Sequence, residues 1–325
     1  MRVYSSLDEV ERAPARGRAV AIGVFDGVHR GHQRILSRAV DEAASTGATS
    51  AAVTFYPHPE AVLRPRSAPR MLTSVDQKSR LMGALGLDEL VVVRFDRDFA
   101  RLTPESFCGA VLSTRLGART VFVGENFRFG RGGVGTAAHL IDYGSAHGFA
   151  VQPVALVADQ GETISSTRIR ELLSHGRVDE AARLLGRPHK IEGPVLTGAG
   201  RGRALDAPTA NLAVSREMAL PRLGVYVTRS TVDGDDVYPS VTSVGTNPTF
   251  ESDRRVRIET LLLDFSGDLY GRHLAVDFLE RIRGQKTFQD AGSLAERIKR
   301  DVDIARAAHA GARADLHIAR TADSS

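Results

Sequence analysis

What most constrains this chain is a change of rhythm near Gly186. Before it, apolar runs that read as strands, residues 19–25 (AVAIGVF), 50–56 (SAAVTFY), 89–95 (ELVVVRF), 119–124 (RTVFVG) and 148–157 (GFAVQPVALV), alternate with segments of helical pattern, residues 32–45, 75–86 and 104–117. Strands that alternate with helices predict a parallel α/β sheet wound on both faces. Two short helical stretches, 167–176 and 178–186, complete this half. Strand-like segments then follow one another with turn residues between them: 190–196, 224–232, 236–245, 255–265 and 273–279. That texture predicts a small antiparallel barrel or sandwich closed by a helix over 293–309, with Asp233-Gly234 as a hairpin turn. The tail from Gly311 is small and polar and is expected to fray.

At 325 residues the chain has room for two such cores. Its formal charge of +4 favours anionic ligands, but 43 Lys and Arg against 39 Asp and Glu is too even a balance to name nucleic acid as partner. Tryptophan is absent and aromatics make up 6%, which argues against a base-stacking platform. Residues 1–17 carry charges where a signal peptide needs an apolar run, and no segment approaches the length of a membrane span. The expectation is a cytoplasmic protein of small-molecule substrates, with no membrane or nucleic-acid partner and with its oligomeric state left open. The single cysteine, Cys108, sits in an amphipathic helical pattern and reads as a buried apolar residue.

One segment carries chemistry. In GVFDGVHRGH, residues 23–32, two histidines stand at i and i+3, His29 and His32, where a helix follows a buried strand. Both rings then fall on one side of the first turn. There the unpaired amides and the positive end of the helix dipole favour phosphate. Gly31 removes a side chain where a nucleotide would approach the backbone. A lone histidine at such a place reads as an ordinary helix-start residue; the glycine spacing, the preceding strand and Asp26-Gly27 reverse that preference. The arrangement suits phosphoryl or nucleotidyl transfer, in which positioning and electrostatics do most of the catalysis.

Two further stretches invite a reading. GRGGVGT, residues 130–136, has glycines spaced like a phosphate loop but Thr136 where lysine is required, so it reads as a flexible connector. In PTAN, residues 208–211, an extended backbone would point the Thr209 and Asn211 oxygens the same way, as hard ligands suited to Mg²⁺. Turn chemistry accounts for the same four residues.

Taken in order, GVFDGVHRGHQ (23–33), TFYPHP (54–59), VGENFRFG (123–130) and ISSTRIR (164–170) resemble the prokaryotic bifunctional riboflavin kinase and FMN adenylyltransferases. The resemblance continues through PTAN, GVY (224–226), VGTNPTF (244–250), Ile258-Glu259 and DLYG (268–271), so it spans nearly the whole chain. It implies a nucleotidyltransferase domain over 1–186, a riboflavin kinase β-barrel domain with a closing helix over 187–310, and a flexible tail over 311–325. The substrates and products would be riboflavin, FMN and FAD, with ATP and Mg²⁺ as cosubstrate and metal.

By the same resemblance His29 and His32 contact the ATP phosphates and steady the transition state. Gly23, Phe25, Asp26, Gly31, Asn126 and Arg128 line the nucleotide site. Ser165, Ser166, Thr167 and Arg170 form a second phosphate-holding loop, a role that agrees with hydroxyls and a guanidinium at a helix start. Pro57, His58, Pro59 and Phe127 lie by the flavin. In the second half Thr209 and Asn211 hold ATP-bound Mg²⁺ and Glu259 is the general base.

The kinase half departs from the family pattern at Thr197, Asp206, Ala207 and Leu261, with Arg201 or Arg203 as compensating charge for Asp206. Two other readings therefore stand beside the bifunctional one: FAD synthesis alone, with a weakened or analogue-specific kinase module, and a non-catalytic flavin or nucleotide sensor.

Overall fold

A computed structural model describes residues 1–196, 209–246, 256–286, 288 and 290–322, with backbone alone for 291 and 312–322. Thr197, Arg201, Arg203, Asp206, Ala207 and residues 247–250 lie outside the described residues. The chain divides into two compact units, Met1–Ser166 and Thr167–Ser325.

The first unit is built on a parallel sheet of β1 (Arg2–Tyr4), β2 (Arg18–Ile22), β3 (Thr49–Tyr56), β4 (Glu89–Arg94), β5 (Ala118–Gly124) and β8 (Ala150–Val154), in the order β1-β4-β3-β2-β5-β8. Two small hairpins are added, β6 (Arg128–Phe129) with β7 (Gly135–Thr136), and β9 (Ala158–Asp159) with β10 (Glu162–Thr163). Alternation within β2 explains why it lies at the centre. Val20 and Ile22 enter one core with Val53, Val91, Val121 and Val123, while Ala19 and Ala21 enter the other with Leu36, Ala39 and Phe122. A strand with both faces apolar has to be covered on both sides.

The covering helices include α1 (Arg30–Thr46), α3 (Val75–Ala84) and α5 (Ala137–His147), while the short α2 (Pro59–Leu63) buries no residue. In α1, Ile35, Leu36, Ala39 and Ala43 make one buried stripe. The helix stops at Gly47, whose φ of +71° is left-handed and whose N–H returns to the Ala43 carbonyl. The helix expected over 104–117 forms as a short α4 (Pro104–Ser106) that continues in π-type winding over Phe107–Arg115. Cys108 is fully buried there, as its apolar neighbourhood implied.

The connector expected over 130–136 is ordered, in that Arg128–Phe129 and Gly135–Thr136 pair as β6 and β7. Left-handed φ angles at Gly130, Gly132 and Gly133 turn the chain between them.

The second unit opens within α6 (Ser166–His175), and α7 (Val178–Leu185) follows. A closed antiparallel barrel follows: β11 (His189–Leu196), β12 (Thr209–Leu212), β13 (Gly224–Val232), β14 (Asp236–Thr246), β15 (Val256–Leu262) and β16 (His273–Gly284), in the order β11-β12-β15-β14-β13-β16. Asp233 and Gly234, both at positive φ, make the hairpin between β13 and β14.

The long helix α8 (Ala291–Ala322) covers an apolar seam of Val225, Val227, Val241 and Leu263 with Ala305. Arg283 ties the helix down through a fork of hydrogen bonds to Asp301, at 3.0 and 2.7 Å. The helix continues to Ala322 through a segment rich in alanine and arginine that holds no proline.

Candidate active sites

In the sheet order, β2 lies between β3 and β5, and the chain after β2 leaves to one side while β5 returns on the other. Open α/β sheets bind ligands at such a switch point, outside the strand ends. Three of the loops that leave this edge, those after β2, β3 and β5 at residues 23–29, 57–58 and 125–127, contain expected site residues.

The first loop is held rigidly. The Asp26 carboxylate is 1% exposed and accepts the backbone N–H groups of Leu72 (2.9 Å) and Thr73 (3.3 Å). The Gly27 N–H donates to the Thr73 hydroxyl at 3.0 Å, and the Ser166 hydroxyl donates to the Asp26 carbonyl at 2.8 Å. Phe25 and Val28 adopt positive φ, +50° and +41°. Such backbone costs on the order of 1 kcal/mol or more per residue and persists only when its surroundings fix it. Here Asp26 and Gly27, between the two, supply the fixation.

His29 follows as the N-cap of α1, its Nδ1 accepting the His32 N–H at 3.3 Å. The two imidazoles stack with centroids 3.5 Å apart, and the Phe25 ring meets His32 edge-on at 5.3 Å. His29 is 5% exposed. His32 Nδ1 is buried and has no hydrogen-bond partner among the described residues. Burial, then the neighbouring His29, then Lys78 hold the His32 pKa well below the usual histidine value, so this ring is neutral at pH 7. Gly31 has a reason nearer than a nucleotide: a Cβ there would lie 3.1 Å from His29 Cε1.

Asn126 and Arg128 are exposed just past β5. Phe127 is half-buried and stacks on Phe129, centroids 5.7 Å apart. Pro57, His58 and Pro59 follow β3, and His58 caps α2 by accepting the Glu60 N–H at 3.1 Å. Gly23 leaves space for the Phe25 ring, which would lie 3.0 Å from an added Cβ. Ser165 and Ser166 enter α6, which carries Thr167 and Arg170 on into the second unit. Direct contacts thus join His29 with His32, His32 with Phe25, and Asp26 with Ser166, while the β3 and β5 loops share their sheet edge.

Sequence reasoning missed Lys78. It is 1% exposed, and its ammonium donates to the Val24 carbonyl at 2.8 Å and to Thr54 Oγ1 at 3.2 Å. Burial lowers its pKa to about 8 against the opposing pull of Asp26. In VDQKSRL it reads as one more polar residue on a helix surface; the only nearby signal is the Ser74/Gln77 capping box that fixes where α3 starts.

In the barrel, PTAN resolves toward the extended reading from Thr209 onward, because Thr209–Leu212 form β12. Register places Asn211 directly opposite Glu259, with Ser243 across Glu259 on the next strand. Thr209, two residues from Asn211, shares its face and lies opposite Leu261. The result is one patch of hydroxyl, amide and carboxylate oxygen, with Thr209 and Asn211 half-buried and Glu259 exposed. Leu261 packs into the seam beneath α8, which accounts for an apolar side chain there. Among the described residues no cluster of three His, Cys, Asp or Glu could hold a metal unaided. Hard neutral oxygens beside one carboxylate instead suit an ion that keeps water and phosphate ligands, as Mg²⁺ does.

Residues 11–168 match the model of the FAD synthetase family and residues 185–309 that of the riboflavin kinase family. A bifunctional riboflavin kinase/FMN adenylyltransferase from Pseudomonas fluorescens is 37% identical over 91% of this chain and 94% of its own length. One from Escherichia coli K12 is 35% identical over 94% and 97%. A crystal structure described as a macrolide-efflux protein from Streptococcus pneumoniae superposes with a TM-score of 0.82 at 30% identity, covering 94% of this chain and 98% of that one. Among the described residues of this chain, no helix is long and apolar enough to cross a membrane.

Proposed function

The chain belongs to the bifunctional riboflavin kinase/FMN adenylyltransferase family, and from that premise we infer how its two units divide the work. It phosphorylates riboflavin to FMN with ATP and adenylylates FMN to FAD with release of pyrophosphate. The adenylylation belongs to the first unit and the phosphorylation to the barrel. The observation that carries the first assignment is the buried, unpartnered Nδ1 of His32 stacked on His29 at a helix N-terminus. A buried polar atom without a partner calls for one, and a phosphate oxygen is what this end of a helix attracts.

In adenylylation the FMN phosphate attacks the α-phosphorus of ATP and the bond to pyrophosphate breaks. His29 and His32 donate hydrogen bonds to the phosphates as negative charge moves onto the leaving group. Ser165, Ser166, Thr167 and Arg170 offer further donors at the start of α6, and Asn126 and Arg128 lie where the nucleotide enters. Pro57, His58, Pro59 and Phe127 form the flavin side. Asp26 takes the supporting role that its buried hydrogen bonds suggest, and Gly23, Phe25 and Gly31 shape the loop.

In phosphorylation the ribityl 5′-hydroxyl attacks the γ-phosphorus of ATP, the bond from that phosphorus to the β-phosphate oxygen breaks, and ADP leaves. Glu259 takes its proton, and Thr209 and Asn211 would hold Mg²⁺ on ATP. That ion, when bound, neutralises phosphate charge. A cytoplasmic location follows from the need for ATP.

The test is to incubate the purified chain with riboflavin, ATP and Mg²⁺ and to resolve the flavins by chromatography. FMN and FAD both form. His29→Ala with His32→Ala stops FAD and spares FMN, whereas Glu259→Ala stops FMN from riboflavin and spares FAD from supplied FMN. Equal loss of both reactions in each variant would falsify the division into two sites.

A further inference from the structure

We propose that Lys78 is a positioning residue for FMN adenylylation, its ammonium holding the 23–29 loop from beneath so that His29 and His32 meet the triphosphate in a fixed orientation. This rests on the assignment of that reaction to the first unit.

The ammonium reaches the loop from a different element. Lys78 projects from α3, yet both its hydrogen bonds end on the strand-end residues Val24 and Thr54. Thr54 Oγ1 itself donates to the Val24 carbonyl at 2.8 Å, so one carbonyl takes two donors. Val24 opens the loop in which Phe25 and Val28 keep positive φ. Without the ammonium, that carbonyl loses its charged donor just where the backbone is strained. Asp26 grips the same loop from the 72–73 segment, which leads directly into α3. Lys78 and Asp26 therefore clamp the loop to one neighbouring stretch of chain, 72–84.

Stability alone is a poor reason to keep such a charge. Burial penalises the charged ammonium, which is why its pKa falls to about 8. Buried charges with a specific partner concentrate where catalysis needs them. The described groups around the loop that titrate are Asp26, His29, His32 and Lys78, and the charge of Lys78 acts on His32 directly.

The test compares Lys78→Met with the parent in the intact chain, where amide exchange in the first unit reports on its folding and riboflavin phosphorylation in the other unit is the internal control. Expected are a kcat for FMN adenylylation lower by about a hundredfold, the scale of a small misplacement of reacting groups, and unchanged phosphorylation. Expected also is a His32 ring that titrates at higher pH by NMR, since a nearby positive charge has gone. Unaltered adenylylation, an unaltered His32 titration, or equal loss of both activities overturns the proposal. If Lys78→Met folds poorly, Thr54→Val removes one acceptor of the ammonium together with the Thr54 donor to Val24 and keeps the charge; kcat is then expected to fall by about tenfold, and no change overturns the proposal. A parent that makes no FAD from FMN refutes the assignment of the reaction instead, and the His32 titration still decides whether Lys78 acts on the pair.

Discussion

The imidazole of His29 lies against that of His32, centroids 3.5 Å apart and planes 19° from parallel, while His29 Nδ1 accepts the His32 N–H. One residue thus caps the helix and sets the ring of the other. Both rings are carried by the first turn of α1, and the neutral state of His32 avoids placing two positive charges in contact.

Gly31→Ala is expected to separate stability from catalysis. Alanine is favoured over glycine in a helix by about 1 kcal/mol, but its Cβ would press on His29 at 3.1 Å. Adenylylation is expected to fall by about tenfold or more, the scale of losing one well-placed donor, with little change in thermal stability. Wild-type kcat in this variant would show that the ring tolerates displacement.

The stability of the first unit should depend on pH through His32. Its folded pKa is depressed, so between that value and about 6.5 the unfolded chain binds the extra proton. The contribution is present above about 6.5 and is lost as pH falls below it. The opening free energy of the first unit, taken from amide exchange corrected for the intrinsic rate at each pH, should therefore fall on acidification below about pH 6.5, and His32→Gln should flatten that response. An identical pH response in the two proteins argues that His32 is not the group involved.

Asn211 and Glu259 face each other across β12 and β15 but are assigned different tasks, so their variants should differ. Asn211→Leu is expected to raise the Mg²⁺ needed for half-maximal phosphorylation by about tenfold, as loss of a supporting ligand does. Glu259→Gln should lower kcat by about a hundredfold or more at unchanged Mg²⁺ dependence, as loss of a general base does. Both leave FMN adenylylation intact. Matching effects on Mg²⁺ dependence would place both residues on the metal.

Cys108 should be inert in the folded protein. It is fully buried, and burial pushes its thiol pKa up to about 12, so little thiolate forms at pH 8. A thiol reagent should label it only after denaturation. Rapid labelling of the native chain would contradict the packing of the 107–115 helix.

Several features were legible because they are local. Residues 19–25 are apolar on both alternating faces, and a strand of that kind has to be buried from two sides, as β2 is. His29, Gly31 and His32 belong to one helical turn, so their spacing already placed the two rings together. Asp233-Gly234 carries its own turn conformation. PTAN was ambiguous, since four residues satisfy a turn and an extended segment alike, and only pairing with β11 and β15 selected the strand from Thr209 onward.

Sequence by itself therefore determined the alternation of strands and helices in the first half, the run of strands in the second and the histidine-bearing helix start, since periodicity and turn chemistry act over a few neighbouring residues. Tertiary structure alone decided that Lys78 is buried under Val24, that Asp26 serves the 72–73 backbone, and that Asn211 faces Glu259. Each of those facts joins residues from separate segments, and burial and register exist only once the segments have packed.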